Sequence, residues 1–316
     1  AAKDVDVISR EVLFGNPEKV GPQLSPDGSM IAYIAPAENV LNLWVMNRDM
    51  TGERQLTFDT NRGVTNYFWA ENGIHILYMQ DQAGEENDHV YRLDVETGEV
   101  VDLTPFDGVK AYVSSTDEDQ PNTVLVETNQ QNPMFFDVYS CDLETGELTM
   151  IADNPGTDEN GDMVLGFVPD EDLNIRMYYS IDPEDGWIKV YHRWDENSPW
   201  EEIRAFSSNE EWGPRRFTED GRGIYLVSNL ESDLSGLYHM DLETGQETFI
   251  VSDSLADVSG VGFDPHTGEP RLVTFNYLRS RREVLDDSIA GDVEFLNGFH
   301  DGDWGVVSRD NADSTW

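Results

Sequence analysis

Hydrophobic and polar residues alternate along most of the chain, in short runs that end at glycine-containing turns. Runs such as Met-Ile-Ala-Tyr-Ile at residues 30–34 and Gly-Ile-Tyr-Leu-Val at residues 223–227 are rich in β-branched and aromatic residues, which favour strands. The gaps between the runs are too short for the helical crossovers that join parallel strands. The pattern therefore predicts an all-β chain of antiparallel hairpins.

One turn phrase recurs along the chain. The sequence Tyr-x-x-Asp-x-Glu-Thr-Gly occurs at residues 91–98, 139–146 and 238–245, and a looser copy occupies residues 43–53. The glycines fall at positions 52, 98, 146 and 245, so the intervals are 46, 48 and 99 residues, the last being about two periods. Glycine supplies the positive φ that a tight turn needs. The phrase therefore marks one hairpin in every repeat of about 48 residues.

A second family of turns is offset by half a period. Its members are Ser-Pro-Asp-Gly at 25–28, Ala-Glu-Asn-Gly at 70–73, Thr-Glu-Asp-Gly at 218–221 and Asp-Pro-His-Thr-Gly at 264–268. Two hairpins in each period make four antiparallel strands, which is the pattern of a β-propeller blade. We expect an N-terminal segment at 1–20, six blades near 21–63, 64–108, 109–161, 162–211, 212–256 and 257–303, and the start of a seventh at 304–316, with its first strand at 304–308.

Two stretches depart from the strand pattern. Residues 283–296 space their apolar side chains at helical intervals, at Val284, Leu285, Ile289, Val293 and Leu296. This spacing predicts a short amphipathic helix inserted in blade six. Residues 7–14 also fit a helix that precedes the first blade.

Charge narrows the possible partners. The chain carries 63 acidic and 20 basic residues, a formal net charge of −43, and it has no basic patch or long apolar stretch. Such a surface repels nucleic acids and anionic membranes, so we expect neither as a partner. Only 4 lysines stand against 16 arginines. This composition fits either a salt-adapted protein, in the cytoplasm of a salt-adapted organism, or an acidic protein of the periplasm or the extracellular space.

The usual motifs of catalytic and metal sites are missing. The sequence contains no Gly-x-Ser-x-Gly nucleophile turn and no phosphate-binding glycine loop, and its six histidines are scattered. The single cysteine, Cys141, excludes an intrachain disulfide, and we expect it to pack as a small hydrophobic residue. Residues 158–162 resemble a calcium loop but lack its spacing, which favours a solvated loop. We therefore assign no catalytic, cofactor-binding or metal-binding residue and expect no cofactor.

The most polar loop between two clear strands spans residues 81–89. As a blade loop it would lie at one rim of a propeller, where it could contact a ligand or a neighbouring domain. The alternative, which the sequence favours, is a solvated hairpin loop that turns at Gly84. The candidate rim residues are Asp81, Glu85, Glu86, Asn87 and His89.

An ordered set of segments resembles the N-terminal propeller of the prolyl oligopeptidase family of serine peptidases, in particular its bacterial acylaminoacyl-peptidase-like branch. The segments are residues 10–18, 22–28, 43–46, 67–70, 76–81, 86–87 and 103–108, and the resemblance continues through the helix of blade six to residues 303–309. Each segment alone is weakly specific for this family, but the whole set in this order along the chain is strongly specific.

The resemblance implies a function that the residues alone do not. In that family a C-terminal α/β-hydrolase domain holds a Ser, Asp, His triad, and the propeller covers the active site and restricts access to oligopeptides. No position here matches the catalytic motifs. The resemblance therefore implies a non-catalytic gating domain, with the hydrolase domain of the same polypeptide and a peptide substrate as its partners and with residues 1–20 packed toward that domain.

Three hypotheses follow from these observations. Because the chain stops inside the expected seventh blade, the first is a fragment of an exported peptidase. The second is a freestanding propeller that serves as a binding scaffold for a protein or a peptide. The third is a catalytic propeller such as a glycosidase, whose paired carboxylates could not be picked out among 63 acidic residues.

Overall fold

The computed structural model describes residues 8–316, and it is a β-propeller with six blade sheets. Each sheet is an antiparallel meander in which strands that are consecutive in sequence are hydrogen-bonded neighbours. This confirms the expected fold class with six blades, of which five have four strands and the sixth has three in the described chain. The chain divides into two compact units, one containing residues up to 112 together with 306–316 and the other containing residues 113–305.

The first two sheets follow a short N-terminal helix. The helix is α1 (Arg10–Phe14), and Ser9 caps it by accepting a hydrogen bond from the Val12 N–H at 3.3 Å. Blade one contains β1 (Val20–Leu24), β2 (Met30–Ala37), β3 (Val40–Asn47) and β4 (Arg54–Gln55). Blade two contains β5 (Tyr67–Trp69), β6 (His75–Gln80), β7 (His89–Asp94) and β8 (Val100–Asp102).

The other four sheets follow in the same order. Blade three contains β9 (Ala111–Thr116), β10 (Thr123–Asn132), β11 (Phe135–Asp142) and β12 (Leu148–Ala152). Blade four contains β13 (Met163–Pro169), β14 (Ile175–Ile181), β15 (Trp187–His192) and β16 (Glu201–Ser207). Blade five contains β17 (Trp212–Phe217), β18 (Gly223–Ser228), β19 (Gly236–Asp241) and β20 (Glu247–Ser252). Blade six contains β21 (Val258–Phe263), β22 (Pro270–Tyr277) and β23 (Arg279–Val284).

Hydrophobic cores form where the faces of neighbouring sheets meet, because the apolar side chains on one face of a sheet are removed from water by the sheet that covers them. In the first unit, Ile34 and Leu43 of blade one pack in one cluster with Trp69 and Ile76 of blade two. In the second unit, separate clusters join blades three and four, four and five, and five and six. Cys141 is fully buried, as expected of a small hydrophobic residue.

The repeated turn phrase works through its aspartate. In the first copy, Asp94 Oδ1 accepts the Thr97 N–H at 2.7 Å and the Thr97 hydroxyl at 2.9 Å, and the Gly98 N–H donates to the Asp94 carbonyl at 2.9 Å. Gly98 has φ +75°. The copies at residues 142–146 and 241–245 make the same bonds. The phrase recurs because this closed turn joins the last two strands of a blade.

The helix predicted at residues 283–296 is present but begins later. Strand β23 continues to Val284, and a 3₁₀ turn (Asp287–Ile289) leads into α2 (Ala290–Phe299). Asp286 caps the turn by accepting the Ser288 N–H at 2.8 Å. The helix follows the three strands of blade six, whose described sheet lacks the fourth strand that the repeat predicted. Ile289 and Val293 are the buried residues of this segment.

The prediction of a strand at residues 304–308 is wrong. These residues have no regular secondary structure, and Ser308 and the residues that follow form hydrogen bonds with the first hairpin of blade one. The Leu24 N–H donates to Ser308 Oγ at 2.8 Å, and the Asn311 N–H donates to the Pro26 carbonyl at 2.8 Å. Asp310 turns the chain by accepting the Ser314 N–H at 2.7 Å. Because a side chain satisfies Leu24, no backbone ladder extends along β1 here.

Within residues 8–316, no helix has the length and apolar character needed to cross a membrane.

Candidate functional site

The loop at residues 81–88 joins β6 to β7 in blade two, beyond the last paired residues of the hairpin, Gln80 and His89. Three of its residues have positive φ, namely Ala83 (+58°), Gly84 (+89°) and Glu86 (+67°). A side chain in this region costs about 1 kcal/mol or more, so a loop that keeps two such residues must be held from outside.

Asp81 holds the loop from below. Its side chain is almost fully buried; Oδ1 accepts Arg62 Nε at 2.8 Å, and Oδ2 accepts the Glu86 N–H at 3.0 Å. The hydrogen bond from Glu86 and the guanidinium of Arg62 lower the pKa of Asp81, which keeps its carboxylate ionised. Asp81 is thus an anchor for the left-handed backbone of Glu86 and is not available to a ligand.

Arg62 is itself positioned by a neighbouring turn. Asp59 accepts the Gly63 N–H at 2.8 Å and Gln80 Nε2 at 2.6 Å, which ties residues 59–63 to the end of β6. Sequence reasoning missed Arg62. The available signal was a basic residue beside a glycine in the polar link between two blades, in a chain with few basic residues.

His89 lies at the other end of the loop and is also buried. Its Nδ1 is 2.8 Å from Asp102 Oδ2, and its ring lies near the ring of Tyr91, with centroids 6.3 Å apart. Since β7 places His89 beside β8, the imidazole faces the sheet and not the loop surface. His89 and Asp81 therefore support the loop.

The exposed part of the loop is acidic. Glu85 and Glu86 are exposed, and Asn87 is half-buried. The structure thus separates the five candidate residues into two buried supports and three residues open to solvent. Two adjacent carboxylates and an amide can accept hydrogen bonds from a cationic donor.

Comparison with known proteins shows that the chain is similar in sequence to part of a peptidase. No family model matches it. The chain is 33% identical over 314 residues to dipeptidyl aminopeptidase BIII of Pseudoxanthomonas mexicana, a match that covers 98% of this chain and 44% of that protein. The chain therefore spans a little under half the length of this relative.

Solved structures show the same fold. A prolyl endopeptidase structure superimposes with a TM-score of 0.62 at 12% identity, covering 85% of this chain and 41% of that one. The β-propeller domain of the trilobed protease of Pyrococcus furiosus superimposes with a TM-score of 0.53 at 17% identity, covering 85% of this chain and 82% of that one. The chain is therefore a β-propeller related to the propeller domains of peptidases.

Proposed function

We propose that the chain is a non-catalytic propeller domain that admits peptides to a serine-type hydrolase domain of the same polypeptide and helps to position them. The observation that carries this proposal is the 33% identity to dipeptidyl aminopeptidase BIII over 98% of the chain. A match of that length and level involves the whole propeller and not a single shared hairpin.

The loop at residues 81–88 supports a role in positioning. The name of the relative denotes an aminopeptidase, an enzyme that acts at the amino-terminal end of peptides. That end carries a positive charge near neutral pH, which ionised carboxylates attract. Glu85 and Glu86 present two such carboxylates on a loop that Asp81 and Arg62 hold in one conformation. A fixed loop loses little entropy when a ligand binds.

The proposal is tested by reading the coding frame beyond residue 316. We expect an in-frame continuation that encodes alternating strands and helices and a Gly-x-Ser-x-Gly turn. A stop codon at that point would contradict the proposal. A peptide that nevertheless bound the 316-residue chain would then support the freestanding scaffold.

A further inference from the structure

A pocket of about 440 Å³ lies where blades three and four meet, entirely within the unit of residues 113–305. Its walls come from the connection between β12 and β13, from three strands of blade four, and from the segment that precedes β16. Neither the sequence motifs nor the peptidase relationship accounts for it.

Aromatic rings form the inner wall of the pocket. Tyr178 and Tyr191 are paired across β14 and β15, and their rings stack with centroids 4.6 Å apart and planes 7° apart. Trp200 meets Tyr178 edge-on at 4.9 Å, and Phe167 is tilted against Tyr178 at 6.5 Å. Both tyrosines are buried, so packing fixes the wall. Such a wall presents several aromatic rings, whose faces are electron-rich, to one small volume.

Carboxylates surround this wall. Asp153, Asp158 and Glu159 line the pocket, and among its described lining residues none is lysine or arginine. The nearby cation Lys189 is already paired with Asp162 at 2.6 Å. The pocket therefore carries an excess of negative charge.

Two of the carboxylates in this region have a buried oxygen that accepts no hydrogen bond from a donor group of the described residues. Asp158 Oδ1 accepts the N–H groups of Asn160 (2.8 Å) and Asp162 (3.0 Å), while its Oδ2 is buried and has no hydrogen-bond partner among residues 8–316. Asp137 is 2% exposed and is not a lining residue; apart from the neighbouring carboxyl group of Asp153, its Oδ2 has no partner in the described structure. Burial and the neighbouring Asp153 raise the pKa of Asp137. Buried acceptors without donors favour a positive charge nearby.

The molecule already places a cation against this wall. The guanidinium carbon of Arg193 lies 4.5 Å from the ring centroid of Trp200. Arg193 is not among the residues that line the pocket. Its stacking on Trp200 shows that an aromatic ring of this wall can hold a cation on its face.

We propose that this pocket binds an alkylated ammonium group. Such a group is a cation with no or few N–H donors, so it gains more from ring faces and a negative potential than from directed hydrogen bonds. An inorganic cation would lose its hydration without gaining a full set of oxygen ligands, and the described residues contain no group of side chains that could hold a metal ion. A neutral apolar molecule would gain nothing from the carboxylates.

The primary test is a titration of the 316-residue chain with tetramethylammonium chloride, followed by ¹⁹F NMR of protein labelled with 5-fluorotryptophan. The chain has 8 tryptophans, and the Trp200 signal is identified by its loss in Trp200→Leu. We expect a saturable shift of that signal, no such shift with sodium chloride at equal ionic strength, and at least about fivefold weaker binding of the neutral tert-butanol. The absence of a saturable shift, or equal binding of tert-butanol, would overturn the proposal.

Two variants locate the site. Glu159→Lys reverses an exposed charge at the pocket and should weaken binding at least about threefold, whereas Glu184→Lys makes the same change at an exposed position outside the lining and should leave binding unchanged. Trp200→Leu, monitored by saturation transfer to the ligand methyl groups, should weaken binding about tenfold, and Trp187→Leu is its control. Equal binding to Glu159→Lys and Glu184→Lys would overturn the assignment.

The alkylated ammonium group could belong to a free metabolite or to a protein side chain. Choline and Nε-trimethyllysine amide carry the same head group on these two kinds of molecule. Either one binding in competition with tetramethylammonium supports the proposal, and the tighter of the two identifies the source. Failure of both to compete would contradict it.

Discussion

A charged side chain in blade four and two in the blade-two loop differ in how many of their hydrogen bonds are made within the protein. Arg176 in β14 is 7% exposed, and its Nε, Nη1 and Nη2 groups donate to the Arg193 carbonyl (2.8 Å), Asp170 (3.1 Å) and the Gly221 carbonyl (3.0 Å). Glu85 and Glu86 in the loop are exposed to solvent. A charge with all its hydrogen bonds inside the protein serves the fold, whereas one left in water is free to serve a ligand.

The same contrast divides the acidic residues. Asp94 and its equivalents Asp142 and Asp241 accept bonds within their own turns, and Asp81 accepts bonds from Arg62 and Glu86. These carboxylates maintain the backbone. The large negative charge is therefore not evidence of many binding sites. Glu85 and Glu86 differ from these carboxylates because they are exposed, whereas the neighbouring Asp81 already accepts hydrogen bonds within the protein.

The largest expected effect is the loss of the buried arginine. Replacing Arg176 with Met leaves the buried Asp170 without its cation and removes a bond to blade five, and we expect a loss of about 3–5 kcal/mol in the free energy of unfolding. Urea denaturation measures it. The control is Arg222→Met, since Arg222 pairs with Glu243 at 2.6 Å in an exposed position and should change stability by less than about 0.5 kcal/mol. Equal losses in the two variants would erase the contrast.

The same cluster makes stability depend on pH. Burial and the charge of Arg176 lower the pKa of His192 to about 4 from its usual 6.5, and Arg176 Nη2 lies 3.2 Å from His192 Nε2. Because the folded pKa is below the unfolded one, the unfolded state takes up a proton first as the pH falls. The contribution of neutral His192 to the free energy of unfolding is complete above pH 6.5 and is lost as the pH falls toward 4. A pKa difference of about 2.5 corresponds to ~3 kcal/mol.

Urea denaturation at several pH values between 7 and 4.5 tests this. In His192→Gln we expect the fall in stability over this range to shrink by ~2 kcal/mol relative to the parent chain. The exposed His266→Gln is the control and should keep the full fall. An unchanged pH dependence in His192→Gln would show that this imidazole is not the group responsible.

Turn variants give a smaller effect. Gly98 has φ +75° and no atom within 4 Å of the position a Cβ would occupy, so Gly98→Ala introduces backbone strain without a clash and should cost about 1 kcal/mol. Gly98→Asn should cost less, because asparagine tolerates this conformation. The free energies of unfolding of the two variants, measured in urea, decide the matter. Equal costs would point to a role for the glycine other than its φ.

The smallest effect on stability is expected in the loop. Glu85→Gln combined with Glu86→Gln removes two exposed charges that maintain nothing in the fold, so the free energy of unfolding should change by less than about 0.5 kcal/mol. Asp81→Asn, which weakens the ion pair with Arg62, should lower the melting temperature more than the double variant does. If the double variant were less stable than Asp81→Asn, Glu85 and Glu86 would support the loop more than Asp81 does, which would contradict the assignment.

The sequence predicted the repeating part of the molecule because its signals are local. The aspartate and the glycine of each turn lie within five residues of one another, so the phrase carries its own structural reason. The end of the chain lacked such a signal. Residues 304–308 have a strand composition, but their outcome depends on a side-chain bond from Ser308 to Leu24, 284 positions away.

The sites were harder to predict for the same reason. The loop was found because its polar residues are contiguous, yet its support Arg62 lies 19 positions before Asp81. Each aromatic residue of the pocket lies in an ordinary alternating strand or its flank, and only the pairing of β14 with β15 brings Tyr178 and Tyr191 together. An alternating pattern shows that a side chain is on one face of a strand, but not which residues share that face with it.

In the proposed function, the exposed carboxylates of the loop at residues 81–88 receive the amino terminus of a peptide. The polypeptide that contains this chain together with the proposed hydrolase domain allows a test, in which the inhibition constants of a dipeptide and of its N-acetylated form are compared. We predict that the free dipeptide binds at least about tenfold tighter and that Glu85→Gln with Glu86→Gln removes most of this preference. The same preference in the parent and in the double variant would show that these two glutamates do not bind the amino terminus.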